Sequence, residues 1–333
     1  MREDAIILWS TGLVFLMVVV ISVVLQVTCW LPSRFTSNTL SRLCNTPVIP
    51  DAGPGIPKII WTYWNSDKLP PFVQLCVNSW RWHNPEFEVR VVTPSTVSKY
   101  INVDVKLVPW NDGPTRESDI IRINILAEHG GVWSDASILL LGPYDFKHAM
   151  ASRDFLGYYI QISTRDMRYP VIENWFFATA PRGSFITKWR DVFMDPELGK
   201  NMDERLANLM STGVDVQNIQ GLKYLFMHLC AQYVLQKVLS PKQVADLVLA
   251  KAEDGPFKFL DANNWNNMSA VRELVRHPGL HGHIYKLRGC ERPFVLDTDI
   301  ASLTDAVKRS IKHKPSTSPS VFSSLPVSAA DSR

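Results

Sequence analysis

The hydrophobic pattern changes character several times along the chain. From Ala5 to Trp30 no charged residue occurs. A helix over that run reaches roughly 39 Å at 1.5 Å per residue, more than a ~30 Å hydrocarbon core. The run is too long for the apolar region of a cleaved signal peptide, and no clear small-x-small site precedes Pro32. The pattern therefore predicts a single transmembrane signal anchor at 5–30 behind a short flank at 1–4. Arg2 on one side and Arg34 and Arg42 on the other leave its orientation open. Residues 31–56, with Pro32, Pro47, Pro50, Gly53, Pro54 and Gly55, have little to bury and read as a stem.

From Pro57 onward the periodicity is that of a folded domain, predicted over 57–311. Strands are expected at 58–64 and 87–92, with a helix over 72–82 stopped by Asn84-Pro85 and a short helix over 96–101. In residues 115–141 a helix following Pro114 ends at Gly130-Gly131, where a residue past a helix end needs positive φ. The apolar run 132–141 then reads as one buried strand. Further strands are expected at 155–160 and 171–180, and helices at 184–193, 202–210, 221–238, 244–252 and 301–311. A His-rich loop over 277–287 runs into a short strand. The tail 312–333 is Ser-, Pro- and Ala-rich and is predicted disordered. Strand–helix–strand order leading into the central stretch predicts an α/β sheet.

Composition narrows the classes. A chain of 333 residues holds one large domain or two small ones, and a net charge of +3 is too small to suggest nucleic acid. Five cysteines, at 29, 44, 76, 230 and 290, show no CxxC and no metal spacing. Cys44, Cys76, Cys230 and Cys290 allow three pairings in an oxidising lumen. Asn267-Met268-Ser269 fits a glycosylation acceptor, a match expected by chance at this length.

The candidate chemistry lies in 115–141. Arg116, Asp119 and Arg122 recur every three residues and share a helix side. Asp135 sits inside an apolar strand, where a charge is expensive unless paired. A strand-end carboxylate and a neighbouring guanidinium suit a diphosphate leaving group, which needs positive charge as its bond to a sugar breaks.

Ser118-Asp119-Ile120-Ile121-Arg122, Leu126, and Gly130-Gly131-Val132-Trp133-Ser134-Asp135 resemble the S-D-x-x-R…L…G-G-x-[YW]-x-D pattern of sugar-binding-region glycosyltransferases with an Asp-x-Asp motif. The resemblance is nearest to the capsular polysaccharide synthesis family and more distant to family 32 Golgi mannosyltransferases and glucosylating toxins. It extends to Ile56-Pro57-Lys58-Ile59-Ile60-Trp61, Glu173-Asn174-Trp175 and His283-Ile284-Tyr285-Lys286-Leu287. It implies a GT-A-type, Rossmann-like nucleotide-sugar-binding domain, a nucleotide-sugar donor, a glycan or glycoconjugate acceptor and a divalent metal, usually manganese. Asp135 and Arg122 are then the catalytic candidates. Trp61 would stack on the base, Ser118 and Asp119 would meet donor hydroxyls, Arg122 the diphosphate and Asn174 the sugar. Asp135 and Ser137 would hold the metal, with His283 or His281 completing its shell or touching the diphosphate. Ser137 stands where many relatives have the second Asp, and a hydroxyl is a poorer ligand for a hard cation than a carboxylate. Coordination by Asp135 is therefore expected to be weak or water-mediated. The implied protein is a type II, single-pass Golgi hexosyltransferase that retains anomeric configuration. Its alternative is a degenerate domain serving as a glycan-binding or scaffold partner.

Overall fold

The computed structural model describes residues 55–312, except 145, 147–149 and 151–153. The predicted anchor at 5–30, most of the stem, Cys29, Cys44 and nearly all of the tail lie outside the described residues. Among the described residues no helix is long and apolar enough to cross a membrane.

Eight strands and nine α-helices are described, besides short 3-10 turns. The strands are β1 (Ile59–Tyr63), β2 (Glu88–Val92), β3 (Gly131–Ser134), β4 (Ile138–Leu140), β5 (Phe155–Tyr159), β6 (Ile172–Thr179), β7 (Val248–Lys251) and β8 (Ile284–Lys286). The helices are α1 (Pro71–His83), α2 (Pro114–His129), α3 (Ser184–Met194), α4 (Met202–Ser211), α5 (Phe226–Tyr233), α6 (Pro241–Ala245), α7 (Lys258–Asp261), α8 (Asn267–Arg276) and α9 (Asp297–Lys312). The result is a mixed α/β architecture around a six-stranded sheet ordered β2-β1-β3-β6-β5-β7, with β4 and β8 paired in a second sheet. β1 runs parallel to β2 and to β3. Parallel neighbours need long crossovers, and α1 and α2 are those crossovers. β6 then enters antiparallel to both β3 and β5.

α2 is the central crossover. Ile120, Ile121, Ile123, Ile125 and Leu126 are fully buried. At roughly 1.5–3 kcal/mol each they contribute on the order of 10 kcal/mol. That gain lets the helix bury its polar stripe as well: Arg116, Asp119 and Arg122 are each under 5% exposed. The helix stops where predicted. Gly130 has φ +62°, and a Cβ there would stand 2.5 Å from the Pro181 nitrogen. Gly131 has φ +99°, and a Cβ there would stand 2.7 Å from the Ile59 carbonyl oxygen. These glycines let β3 run directly beside β1.

Four segments depart from expectation. The run 132–141 is not one strand. It leaves the large sheet after Ser134 and re-enters the small one at Ile138, with Asp135 at the turn. The polar trio Ser134, Asp135 and Ser137 marks that crossing. Residues 244–252 were expected to be helical, but they close α6 and form β7, a parallel edge strand beside β5; a short apolar run does not distinguish the two by periodicity. Within 221–238 the α-helix begins only at Phe226 and widens into a π-turn at Val234–Val238. α8, capped by the Asn266 side chain on the Ser269 amide, was not anticipated. Cys76, Cys230 and Cys290 are free thiols, the first two buried.

Candidate active site

β1 and β3 are parallel, so their carboxyl ends open on one side of the sheet, where open α/β sheets bind ligands. A cleft of ≈ 1220 Å³ lies there. Its walls include Tyr63 and Trp64 after β1, Ser118 and Arg122 of α2, and Glu173 and Asn174 of β6. The volume is ample for a ligand the size of a nucleotide-sugar.

Asp135 stands at the centre of the charge network. Its amide donates to the Trp175 carbonyl at 2.8 Å, fixing the turn against β6. Its Oδ1 accepts from Arg122 Nη2 at 3.1 Å and from Trp133 Nε1 at 3.0 Å. Its Oδ2 accepts from Lys286 Nζ at 2.7 Å. The side chain keeps 23% exposure, so it still faces the cleft. Burial alone would raise its pKa; the charges of Lys286 and Arg122 outweigh that and hold it below the usual carboxylate value. It is therefore an anion at neutral pH.

Arg122 is held from three sides. Nη1 donates to the Asn174 carbonyl at 2.7 Å, and Nη2 donates to Ser118 Oγ at 3.0 Å as well as to Asp135. The guanidinium lies 5.2 Å from the Trp133 ring centroid. Asp119 accepts from Asn174 Nδ2 at 3.0 Å and from Arg116 Nη1 at 3.2 Å. Burial pushes the Asp119 carboxyl upward, opposed by Arg122 and Arg116. Ser118, Asp119, Arg122, Asp135, Ser137 and Asn174 all line this one cleft.

Two expected members are elsewhere. Trp61 is fully buried within the fold and is no part of the cleft wall. Its Nε1 donates to the Gly130 carbonyl at 3.0 Å, and its ring packs on Tyr100 and under the Arg90 guanidinium. Trp61 is one strand step too deep; Tyr63 and Trp64, at the end of β1, are the aromatics from this strand that reach the cleft. His283 does not join Asp135. It sits against Gly142, before β8, whereas the opposite end of β8 faces Asp135. His281 is engaged by Glu273 at 2.6 Å.

The residue that β8 does deliver is Lys286, which sequence reasoning missed. Its Nζ lies 2.7 Å from Asp135 Oδ2 and 3.3 Å from Ser137 Oγ. A lysine at the end of the apolar run Ile284-Tyr285 carries the same expense that singled out Asp135. Glu173 and His228 are a second missed feature. Both are buried in the cleft wall, and His228 Nε2 lies 3.3 Å from Glu173 Oε2. His228 Nδ1 has no hydrogen-bond partner among the described residues.

The protein's donor set alone does not fit a hard divalent cation, which takes six or more oxygen ligands and here would have to draw most of them from water and a diphosphate. One carboxylate with both oxygens already bonded and one hydroxyl are all that meet at Asp135. Among the described residues no three His, Cys, Asp or Glu side chains form a group able to hold a metal.

Comparison with known proteins places these residues in context. Residues 37–196 match the sequence model of a family described as capsular polysaccharide synthesis protein. An "O-glycosyltransferase braB" of Annulohypoxylon truncatum is 25% identical over 162 residues, 41% of this chain and 37% of that protein. A "Glycosyltransferase afumC" of Aspergillus fumigatus (strain CBS 144.89 / FGSC A1163 / CEA10) is 31% identical over 152 residues, 40% of this chain and 39% of that protein. The chain thus matches well under half of the length of either relative. Among solved structures, a "PaToxG Glycosyltransferase" aligns with TM-score 0.33 and 13% identity, covering 78% of this chain and 88% of that one.

Proposed function

We infer that this chain, whose residues 37–196 match the capsular polysaccharide synthesis family model, is a glycosyltransferase using a nucleotide-sugar donor. The supporting observation is the convergence of Arg122 and Lys286 on Asp135 in one cleft at the carboxyl ends of parallel strands. Four cations, Arg122, Lys286, Arg288 and Arg292, line that cleft and suit a diphosphate. Tyr63 and Trp64 offer aromatic surface to the base in place of Trp61. Asp119 and Asn174 offer carboxylate and amide to sugar or ribose hydroxyls. Glu173 and His228 offer a hydrogen-bonding pair to the acceptor.

In this reading the domain is of GT-A type and moves a hexose to a glycan or glycoconjugate hydroxyl. The bond from the anomeric carbon to the phosphate oxygen breaks with its electron pair on the oxygen. The acceptor oxygen bonds that carbon, and its proton passes to the departing phosphate. Transfer on one face retains configuration and needs no carboxylate nucleophile. The apolar run 5–30 would anchor the domain as a type II protein in the Golgi lumen.

A panel of nucleotide-sugars tests the reading by nucleotide release. We expect release from one donor, lost in Asp135→Asn while the circular dichroism spectrum is kept. Unchanged turnover in that variant would remove the site. No release from any donor, with no calorimetric donor binding, would favour a glycan-binding scaffold.

A further inference from the structure

We propose that Lys286 supplies the positive charge otherwise provided by a divalent metal, so that the donor diphosphate is bound and released without one. This rests on the transferase reading above. The ammonium lies between two of the residues expected to coordinate the ion, 2.7 Å from Asp135 Oδ2 and 3.3 Å from Ser137 Oγ. An ammonium has three donors and no acceptor; two are used here, and the third is available to a phosphate oxygen.

The position is built into the backbone. Lys286 pairs with Ile138 across the small sheet, its amide donates to the Pro256 carbonyl at 3.0 Å, and the Leu287 amide donates to the Ser137 carbonyl at 3.1 Å. The side chain is 6% exposed, yet it lines the cleft. Arg122 and Arg292 line the same cleft as Lys286, so three cations face it. Arg292 lies 5.6 Å from the Trp64 ring centroid, on the wall offered to the base. Against these cations the cleft sets the carboxylates of Asp135, Asp119 and Glu173. Asp119 is bonded by Arg116 and Glu173 by His228. A diphosphate would supply the anion that the remaining cationic charge lacks. During transfer the electron pair left on the phosphate oxygen meets that charge until the acceptor proton arrives. Ser137 is consistent with this: a second carboxylate there would hold Lys286 away from the phosphate, and a hydroxyl does not.

The test is calorimetric binding of uridine, guanosine, adenosine and cytidine diphosphates to the full chain, in EDTA and in manganese. One diphosphate is expected to bind with affinities in the two media agreeing within about threefold. Lys286→Met should weaken it about 10- to 100-fold, the loss of one charge-assisted hydrogen bond. Manganese should not restore it, and Lys286→Arg should recover part. Should Lys286→Met fail to fold, Asp135→Asn/Lys286→Met, which removes both members of the ion pair, replaces it with the same expectation. Binding abolished by EDTA and restored by manganese overturns the proposal, as does full affinity in Lys286→Met. Binding of no diphosphate in either medium overturns the transferase reading and this proposal with it.

Discussion

Replacing Asp135 by Asn keeps the side-chain volume and removes one charge. The remaining amide oxygen can still accept from Arg122 and Trp133, which both meet Oδ1. The amide nitrogen then faces Lys286 Nζ, donor against donor, where a 2.7 Å ion pair stood. Lys286 keeps only Ser137 Oγ at 3.3 Å. Stranding one member of a buried pair costs about 3–5 kcal/mol. Because Asp135 is 23% exposed and water reaches the cleft, the lower range applies, about 2–3 kcal/mol. For a domain of this size each kcal/mol lowers Tm by about 2–4 °C, so a fall of roughly 4–12 °C is expected by thermal melts. The stranded ammonium is the cause, so Asp135→Asn/Lys286→Met should be more stable than the sum of the single losses, by about 1–3 kcal/mol. Additive losses in the double variant would refute the claim that the two charges form one unit.

Three further outcomes follow from the geometry. Trp61→Phe should lose about 1–3 kcal/mol of stability, from the broken bond to Gly130 and the lost volume, with donor KM unchanged; a raised KM at unchanged Tm would return Trp61 to the base site. Gly131→Ala, forced to φ +99° and into the Ile59 carbonyl, should cost roughly 1–3 kcal/mol or more, read as a lower denaturant midpoint; an unchanged midpoint would refute the close β1–β3 approach. Burial lowers the Lys286 pKa from its ordinary 10.5, with Asp135 opposing. Diphosphate affinity should therefore decline with rising pH before an ordinary lysine titrates. Over the same window the unfolded chain binds more protons, so this group makes stability rise with pH. Titrations at increasing pH against Lys286→Arg check it; identical profiles would exclude Lys286 as the titrating cation.

The central helix and its stop were legible because their chemistry is local. Alternating isoleucines, a three-residue polar recurrence and two glycines leave few options over 115–131. Asp135 was legible because an unpaired charge in an apolar run demands a partner. The same rule applies to Lys286, but a metal-ligand pattern favours a histidine, and His283 stands three residues away at the wrong end of β8. Trp61 failed for a different reason. Alternation says which face a strand residue takes, not how far along the strand the cleft opens. The break at Asp135 was hidden because the apolar flanks on either side match in character while belonging to different sheets. β7 and α6 share one short apolar segment, where only tertiary pairing decides.

The bond between Lys286 and Asp135 joins positions 151 residues apart. Such a closure is a high-contact-order event, which is paid for in chain entropy before it returns any energy. A growing polypeptide would finish the crossover helix and most of the large sheet while the turn after β3 still carried an anion with only the arginine beside it. Any product ending before β8 would have a nearly complete scaffold and a site of the wrong charge. Under the proposed reading, competence to bind phosphate would therefore arrive late, with roughly the last tenth of the domain.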